Sequence, residues 1–146
     1  MSPYRFELRP EFSPEQVADL RTAVGWDSSL HLYQRTLGRT FAWAGCYDGD
    51  RLIGYADVVS DGVAAAYIRD LVVHPDHQRR GVGSHLLCLL LRTVRDAGIR
   101  MVSTVFEPGL TPFYRKAGFH VVSGGMIDFD PPTSTALAPK TPRPPE

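Results

Sequence analysis

The sequence predicts an α/β fold: a mixed, mostly antiparallel sheet of six to seven strands with a central parallel βαβ unit and about four helices. Three observations predict it. The first half alternates apolar and polar residues in strand-length runs, separated by the turn signals Asp48-Gly49-Asp50 and Asp61-Gly62. The second half switches to strand, long amphipathic helix, strand, the order that sets two strands parallel. The whole is 146 residues, with 43% hydrophobic and 22% charged side chains. That is one ordinary globular domain, which buries roughly 68–70% of its unfolded surface.

Each element follows from its residues. Tyr4 to Leu8 alternates as a half-buried strand does. Ser13, Pro14 and Gln16 make a capping box with proline at the first helical position. Val17, Leu20, Ala23 and Val24 give that helix its apolar stripe, and Gly25 ends it. A short second helix from Ser28 would turn Leu30, Leu32, Tyr33 and Leu37 inward. Thr40 to Tyr47, Arg51 to Ser60 and Ala64 to Val73 read as a three-strand meander. A helix from about Ser84 to Ala97 buries Leu86, Leu87, Leu90, Leu91 and Val94, and Ile99 to Phe106 is the strand after it. Thr111 to Ala117 forms a last short helix, and His120 to Phe129 a final hairpin broken at Gly124-Gly125. Residues 1–130 form the single domain. From Asp130 onward six of seventeen residues are proline, so 131–146 reads as a tail without regular structure.

Composition excludes several classes. Sixteen basic and sixteen acidic side chains cancel, and the longest basic cluster is Arg79-Arg80, so nothing marks a nucleic-acid partner. No run of eighteen apolar residues marks a membrane span, and no secretion signal opens the chain. Cys46 and Cys88 lack CxxC spacing and read as two buried, reduced thiols of a cytoplasmic protein.

The segment Val72 to Ser84 carries the most chemistry. It runs strand, loop, Gly81-Val82-Gly83, helix. The first turn of a helix holds N–H groups without partners, and the macrodipole makes it attractive to anions. Glycines there let an anion approach, Arg79 and Arg80 add charge, and the Ser84 hydroxyl adds a donor. A dinucleotide fingerprint would need a third glycine where Leu86 stands, and a P-loop would need Gly-Lys-Ser/Thr. A loop whose glycines serve only helix–strand packing is the plain alternative.

Gln78-Arg79-Arg80-Gly81-Val82-Gly83 resembles the Gln-x-x-Gly-x-Gly loop of the GCN5-related N-acetyltransferases (GNAT). Ile68 to Val73 with its His74-Pro75 exit, and Phe113-Tyr114-Arg115-Lys116-Ala117-Gly118-Phe119 further on, resemble the same family. The resemblance covers the meander-plus-βαβ order and implies the GNAT fold of a small, single-domain, bacterial-type member. It implies acetyl-coenzyme A as acetyl donor. Backbone N–H groups from Arg79 to Ser84 would hold the pyrophosphate. Leu71, Val72, Val73, Gln78, Phe113 and Tyr114 would complete the coenzyme groove. Val73 would pair its backbone with the pantetheine arm, where the strands after residues 73 and 106 splay apart.

Acetyl transfer to an amine requires that the amine lose a proton, since alkyl amines have a pKa of roughly 10. It also requires a donor to the oxyanion and an acid for the departing thiolate. The resemblance assigns the donor to a strand N–H near Val73 and the acid to Tyr114; otherwise Tyr114 packs beside Phe113. Asp70, in an otherwise apolar strand, would take the proton, relay it, fix the ammonium, or pair with Arg69 or another arginine. Asp57 and Glu107 are weaker candidates on the same grounds.

The resemblance locates acceptor specificity on the segment from Gly25 to Gly38 and on the last hairpin. Trp26, Asp27, His31 and Tyr33 stand there, with Met126 and Asp128 across the cleft; Trp26 and Tyr33 would wall the acceptor, or Trp26 would fill core space between helices, and Asp27 or Asp70 would meet an ammonium. The His74-x-x-His77 spacing reads as a surface loop, and no metal is assigned. The expected acceptor is a small-molecule amine, with a homodimer compatible. The rival readings are a non-catalytic acyl-coenzyme A sensor and a protein N-terminal or lysine acetyltransferase.

Overall fold

The computed structural model describes residues 3–130. The order is β1 (Tyr4–Leu8), α1 (Pro14–Ala23), α2 (Leu30–Thr36), β2 (Ala42–Asp48), β3 (Arg51–Ser60), β4 (Ala65–Val73), α3 (Val82–Asp96), β5 (Met101–Thr104) and α4 (Thr111–Lys116). The strands form one sheet in the order β1-β2-β3-β4-β5. All neighbours are antiparallel except β4 and β5, which run parallel across the α3 crossover.

Local chemistry fixes the elements. Ser13 accepts from the Gln16 N–H while the Gln16 side chain accepts from the Ser13 N–H, so α1 starts with its first donors satisfied. Gly49 and Asp50 alone join β2 to β3. Asp61 closes the next turn by accepting the Val63 and Ala64 N–H groups, each at 2.8 Å.

Helix α3 packs on one sheet face, where Val82, Leu86, Leu87, Leu90 and Val94 meet Ala44, Ile53, Val58 and Ile68. At roughly 1.5–3 kcal/mol per buried aliphatic side chain, this seam is the main apolar contribution to the fold. It is close because Gly54 carries no side chain: a Cβ there would stand 3.0 Å from Leu86 Cδ1 and 3.1 Å from Val82 Cγ1. Helices α1 and α2 cover the other face with Val17, Leu20 and Tyr33 over Tyr47, Tyr55 and Val72.

Two bulges re-phase the strand alternation. Cys46 pairs with Gly54 but Tyr47 with Leu52, so β3 holds one extra residue there. Tyr55 pairs with Val72 but Asp57 with Arg69, so β4 holds the extra residue, and Asp70 takes a left-handed φ of 56°. Ala66 and Ile68 face α3 before the bulge; Leu71 and Val73 do so after it.

Four sequence expectations need correction. The sheet has five strands among the described residues, not six or seven. The predicted hairpin over His120 to Phe129 forms no ladder; the segment runs exposed, with Val122 82% and Phe129 95% accessible. Leu32 faces solvent at 55% exposure, because one stripe of the short α2 reaches the sheet, through Tyr33. Cys88 is exposed on α3 while Cys46 is buried; both are free thiols. No described helix is long and apolar enough to cross a membrane. The proline-rich segment 131–146 lies outside the described residues.

Candidate active site

Strands β4 and β5 are paired only from Ala65–Met101 to Ile68–Thr104. The separation expected beyond residues 73 and 106 therefore begins earlier, where the Asp70 bulge bends β4 away. Past Ile68 the β5-facing edge of β4 has no strand partner among the described residues. Two cavities open there, of about 490 and 470 Å³. Trp26, Leu71, Leu110 and Tyr114 line both, so the cavities meet at the splay.

The larger cavity runs along the end of β4 to the start of α3. Leu71, Val72, Val73, Gln78, Arg79, Gly81, Val82, Gly83, Ser84, Phe113 and Tyr114 all line it. Of the residues expected at a coenzyme, Arg80 alone is outside it; its Nη1 donates to the Tyr4 hydroxyl at 3.3 Å. Gln78 Nε2 donates to the Val73 carbonyl at 3.0 Å and pins the loop to the strand end. Gly81, at φ 83°, turns the chain into α3, and no side chain caps that fifteen-residue helix. An added Cβ would meet nothing within 4 Å at Gly81, and Phe113 and Val73 at 3.6 and 3.7 Å at Gly83. A side chain at Gly81 would enter space that is now open at the helix start, and one at Gly83 would press toward Phe113 and Val73. These residues fit a pyrophosphate with an apolar arm beside it.

The second cavity is walled by β4 and β5 together with Met126 from the C-terminal segment. Asp70 lines it, with its carboxylate held: Tyr33 donates its hydroxyl to Oδ2, and Arg21 Nη1 stands 3.1 Å from Oδ1. Behind it, Asp57 is buried, accepting from Arg69 Nε and Nη2 at 2.7 and 3.2 Å and from the Tyr55 hydroxyl at 2.7 Å. Burial pushes the Asp57 carboxyl above the usual range, against the opposing pull of Arg69 and Tyr55. Burial and the adjacent carboxylates raise both Tyr33 and Tyr55, so the two phenols stay protonated donors.

Tyr114 is 4% exposed, stacked on Phe106 at 4.3 Å and edge-on to Phe113 and Phe119. Burial raises its phenol above the ordinary value. Thr104 donates its hydroxyl to the Ile68 carbonyl at 2.9 Å.

Trp26, Asp70 and Met126 thus come together at the second cavity, while Tyr33 lies beneath it and Asp27 and Asp128 line neither cavity. His74 accepts the Asp76 N–H, and His77 Nδ1 lies 2.8 Å from the Tyr4 hydroxyl. Among the described residues no group of three or more His, Cys, Asp or Glu side chains could hold a metal. Arg21, Tyr67, Leu110 and Thr104 were not singled out in the sequence. Arg21 carries no local signal, since it lies on a helix 49 positions from the carboxylate that it meets.

A sheet splayed between its fourth and fifth strands, with a glycine loop opening the helix between them, defines the acetyltransferase fold class. The profile of the Acetyltransferase (GNAT) family matches residues 5–119, and the chain belongs to that family. It is 31% identical over 109 residues to the uncharacterized N-acetyltransferase ycf52-like protein of Prochlorococcus marinus, across 71% of this chain and 61% of that protein. The next three curated relatives are covered over 37–40% of their length, so the chain spans less than two thirds of each of these four relatives. A GNAT-family acetyltransferase structure from Streptococcus pneumoniae superposes with a TM-score of 0.73 at 27% identity, over 87% of this chain and 98% of that one. A Staphylococcus aureus protein of unknown function gives 0.76 at 22% identity, over 85% and 98%, and shows the shared fold.

Proposed function

We propose that the protein transfers an acetyl group from acetyl-coenzyme A to the primary amine of a small molecule. The observation that carries this reading is the pair of cavities meeting at Leu71 and Tyr114, one ending on an uncapped helix N-terminus and the other enclosed by aromatic walls. Loop residues 78–84 hold the pyrophosphate, and the free edge of β4 through Val73 binds the pantetheine arm. A strand N–H near Val73 meets the carbonyl oxygen, and Tyr114 protonates the departing thiolate. Asp70 is a positioning residue: both of its oxygens are engaged, and it ties α1 and α2 to the bulge that opens the edge. A volume of about 470 Å³ favours a small acceptor over a peptide.

Coenzyme A should raise Tm, because a ligand that binds only the folded state stabilises it by mass action. Gly81→Asp should abolish that shift by introducing a carboxylate where the phosphates lie. A variant that still binds normally would remove the loop from the coenzyme site.

A further inference from the structure

Three charged side chains line the cavity on the acceptor side: Arg69, Asp70 and Glu107. Two of them are spent on protein partners. Arg69 binds Asp57 through two nitrogens, and Asp70 binds Arg21 and Tyr33. Each presents a neutralised pair to the cavity. Glu107 differs, because its carboxylate has no hydrogen bond or ion pair among the described residues. Glu107 is exposed at the N-cap of the single turn Pro108–Leu110, and its side chain makes no cap bond. Pro108 holds Glu107 extended, at φ −65° and ψ 143°. The rest of the wall is largely apolar, formed by Trp26, Tyr67, Leu71, Phe106, Leu110 and Met126.

We infer that Glu107 is the specificity-determining group of this cavity, and that the acceptor is a hydrophobic primary monoamine. The inference rests on the transferase reading above and names its substrate class. One unpaired negative charge matches one ammonium, and an aromatic or aliphatic body fills the carbon-rich walls. A polyamine would need a second free carboxylate, and the cavity has none. An amino acid would set its own carboxylate against Glu107, while both nearby arginines are already occupied. Glu107 acts in binding, before any bond is made.

The test measures acetylation of 2-phenylethylamine, phenylalanine and spermidine by wild type and Glu107→Gln, with the coenzyme A Tm shift recorded for both proteins. Wild type should prefer 2-phenylethylamine in kcat/KM by about ten-fold or more over the other two. Glu107→Gln should raise KM for 2-phenylethylamine about ten-fold with kcat nearly unchanged, and should narrow the preference over phenylalanine. The coenzyme shift should be equal in the two proteins. An unchanged KM and preference in the variant, a wild-type preference for phenylalanine or spermidine, or no turnover of 2-phenylethylamine beside a normal coenzyme shift overturns this inference alone. Absence of the shift in wild type overturns the transferase reading and this inference with it.

Discussion

Two clusters of tyrosine, aspartate and arginine sit on the same face of the sheet, and they differ chiefly in their access to water. In the inner one, Asp57 is 1% exposed and bound by Arg69 and Tyr55; in the outer one, Asp70 is 27% exposed and bound by Arg21 and Tyr33. Tyr33 and Tyr55 touch edge-to-face at 6.0 Å and join the two. The inner cluster bridges β3 and β4, whereas the outer one ties two helices to the β4 bulge. The same three residue types therefore serve cohesion in one place and orientation in the other, and burial decides which. Water can replace a lost partner at Asp70 but not at Asp57.

The largest effect should come from the inner cluster. Asp57→Ala leaves Arg69 without its carboxylate and Tyr55 without its acceptor, and breaking a buried pair in this way typically costs about 3–5 kcal/mol. Urea unfolding measures it directly. A loss below about 1 kcal/mol would erase the distinction between the clusters.

Tyr114 sharpens the comparison because its hydroxyl, unlike those of Tyr33 and Tyr55, meets a threonine and no carboxylate. Of the three, its proton is the one not held by a carboxylate, as the proposed acid role requires. Tyr114→Phe keeps the stacking on Phe106 and removes the acid, so turnover should fall on the order of 10² with coenzyme binding retained. Since burial raises the phenol pKa above its ordinary 10, the acid stays protonated as pH rises. The rate should thus climb with pH as the amine deprotonates, with no falling limb from Tyr114 below about pH 10. An unchanged rate in the variant would return Tyr114 to packing.

The outer cluster should respond to backbone geometry more than to charge. Asp70 holds φ 56°, which asparagine tolerates and a β-branched residue does not. Asp70→Val should cost about 1–3 kcal/mol of stability and most of the turnover. Asp70→Asn should restore both to within about ten-fold in rate, with the pH–rate profile unchanged in shape, since a polar rotamer and the Tyr33 bond persist. A sharp loss in Asn that recovers at high pH would instead make Asp70 the base.

What the sequence made legible was whatever rests on local chemistry. The Ser13 capping box, the Gly49-Asp50 turn and the glycine loop each depend on neighbours within a few residues. The family resemblance added the coenzyme groove, and eleven of its twelve expected residues line one cavity. What stayed hidden depends on register. No pattern in residues 65–73 announces the extra residue at Asp70, and without it neither the early splay at Ile68 nor the face on which Asp70 lies can be deduced. The Arg21–Asp70 and Tyr33–Asp70 contacts join residues 49 and 37 positions apart, so Tyr33 read as an acceptor wall when its hydroxyl is bound beneath it. The last hairpin failed differently: its residues alternate as strands do, yet they form no ladder, and the outer side of β5, the edge strand of the sheet, carries no partner among the described residues.

The smallest effects discriminate most finely. Tyr55→Phe and Tyr33→Phe each delete one hydroxyl and keep a buried ring, so packing is nearly constant and only the fate of the carboxylate differs. At Asp57 the lost donor leaves an oxygen that water cannot reach, and the penalty of an unsatisfied buried acceptor is about 1–3 kcal/mol. At Asp70, 27% exposed, water can take the place of the Tyr33 hydroxyl while Arg21 remains, so the cost should stay at about 1 kcal/mol or less. Paired urea titrations should therefore show Tyr55→Phe at least twice as destabilising as Tyr33→Phe. Turnover per folded molecule should move the other way, because Tyr33 steadies a cavity wall and Tyr55 does not. Equal stability losses would mean that access to water does not separate the clusters, and the division between cohesion and orientation would have to be abandoned.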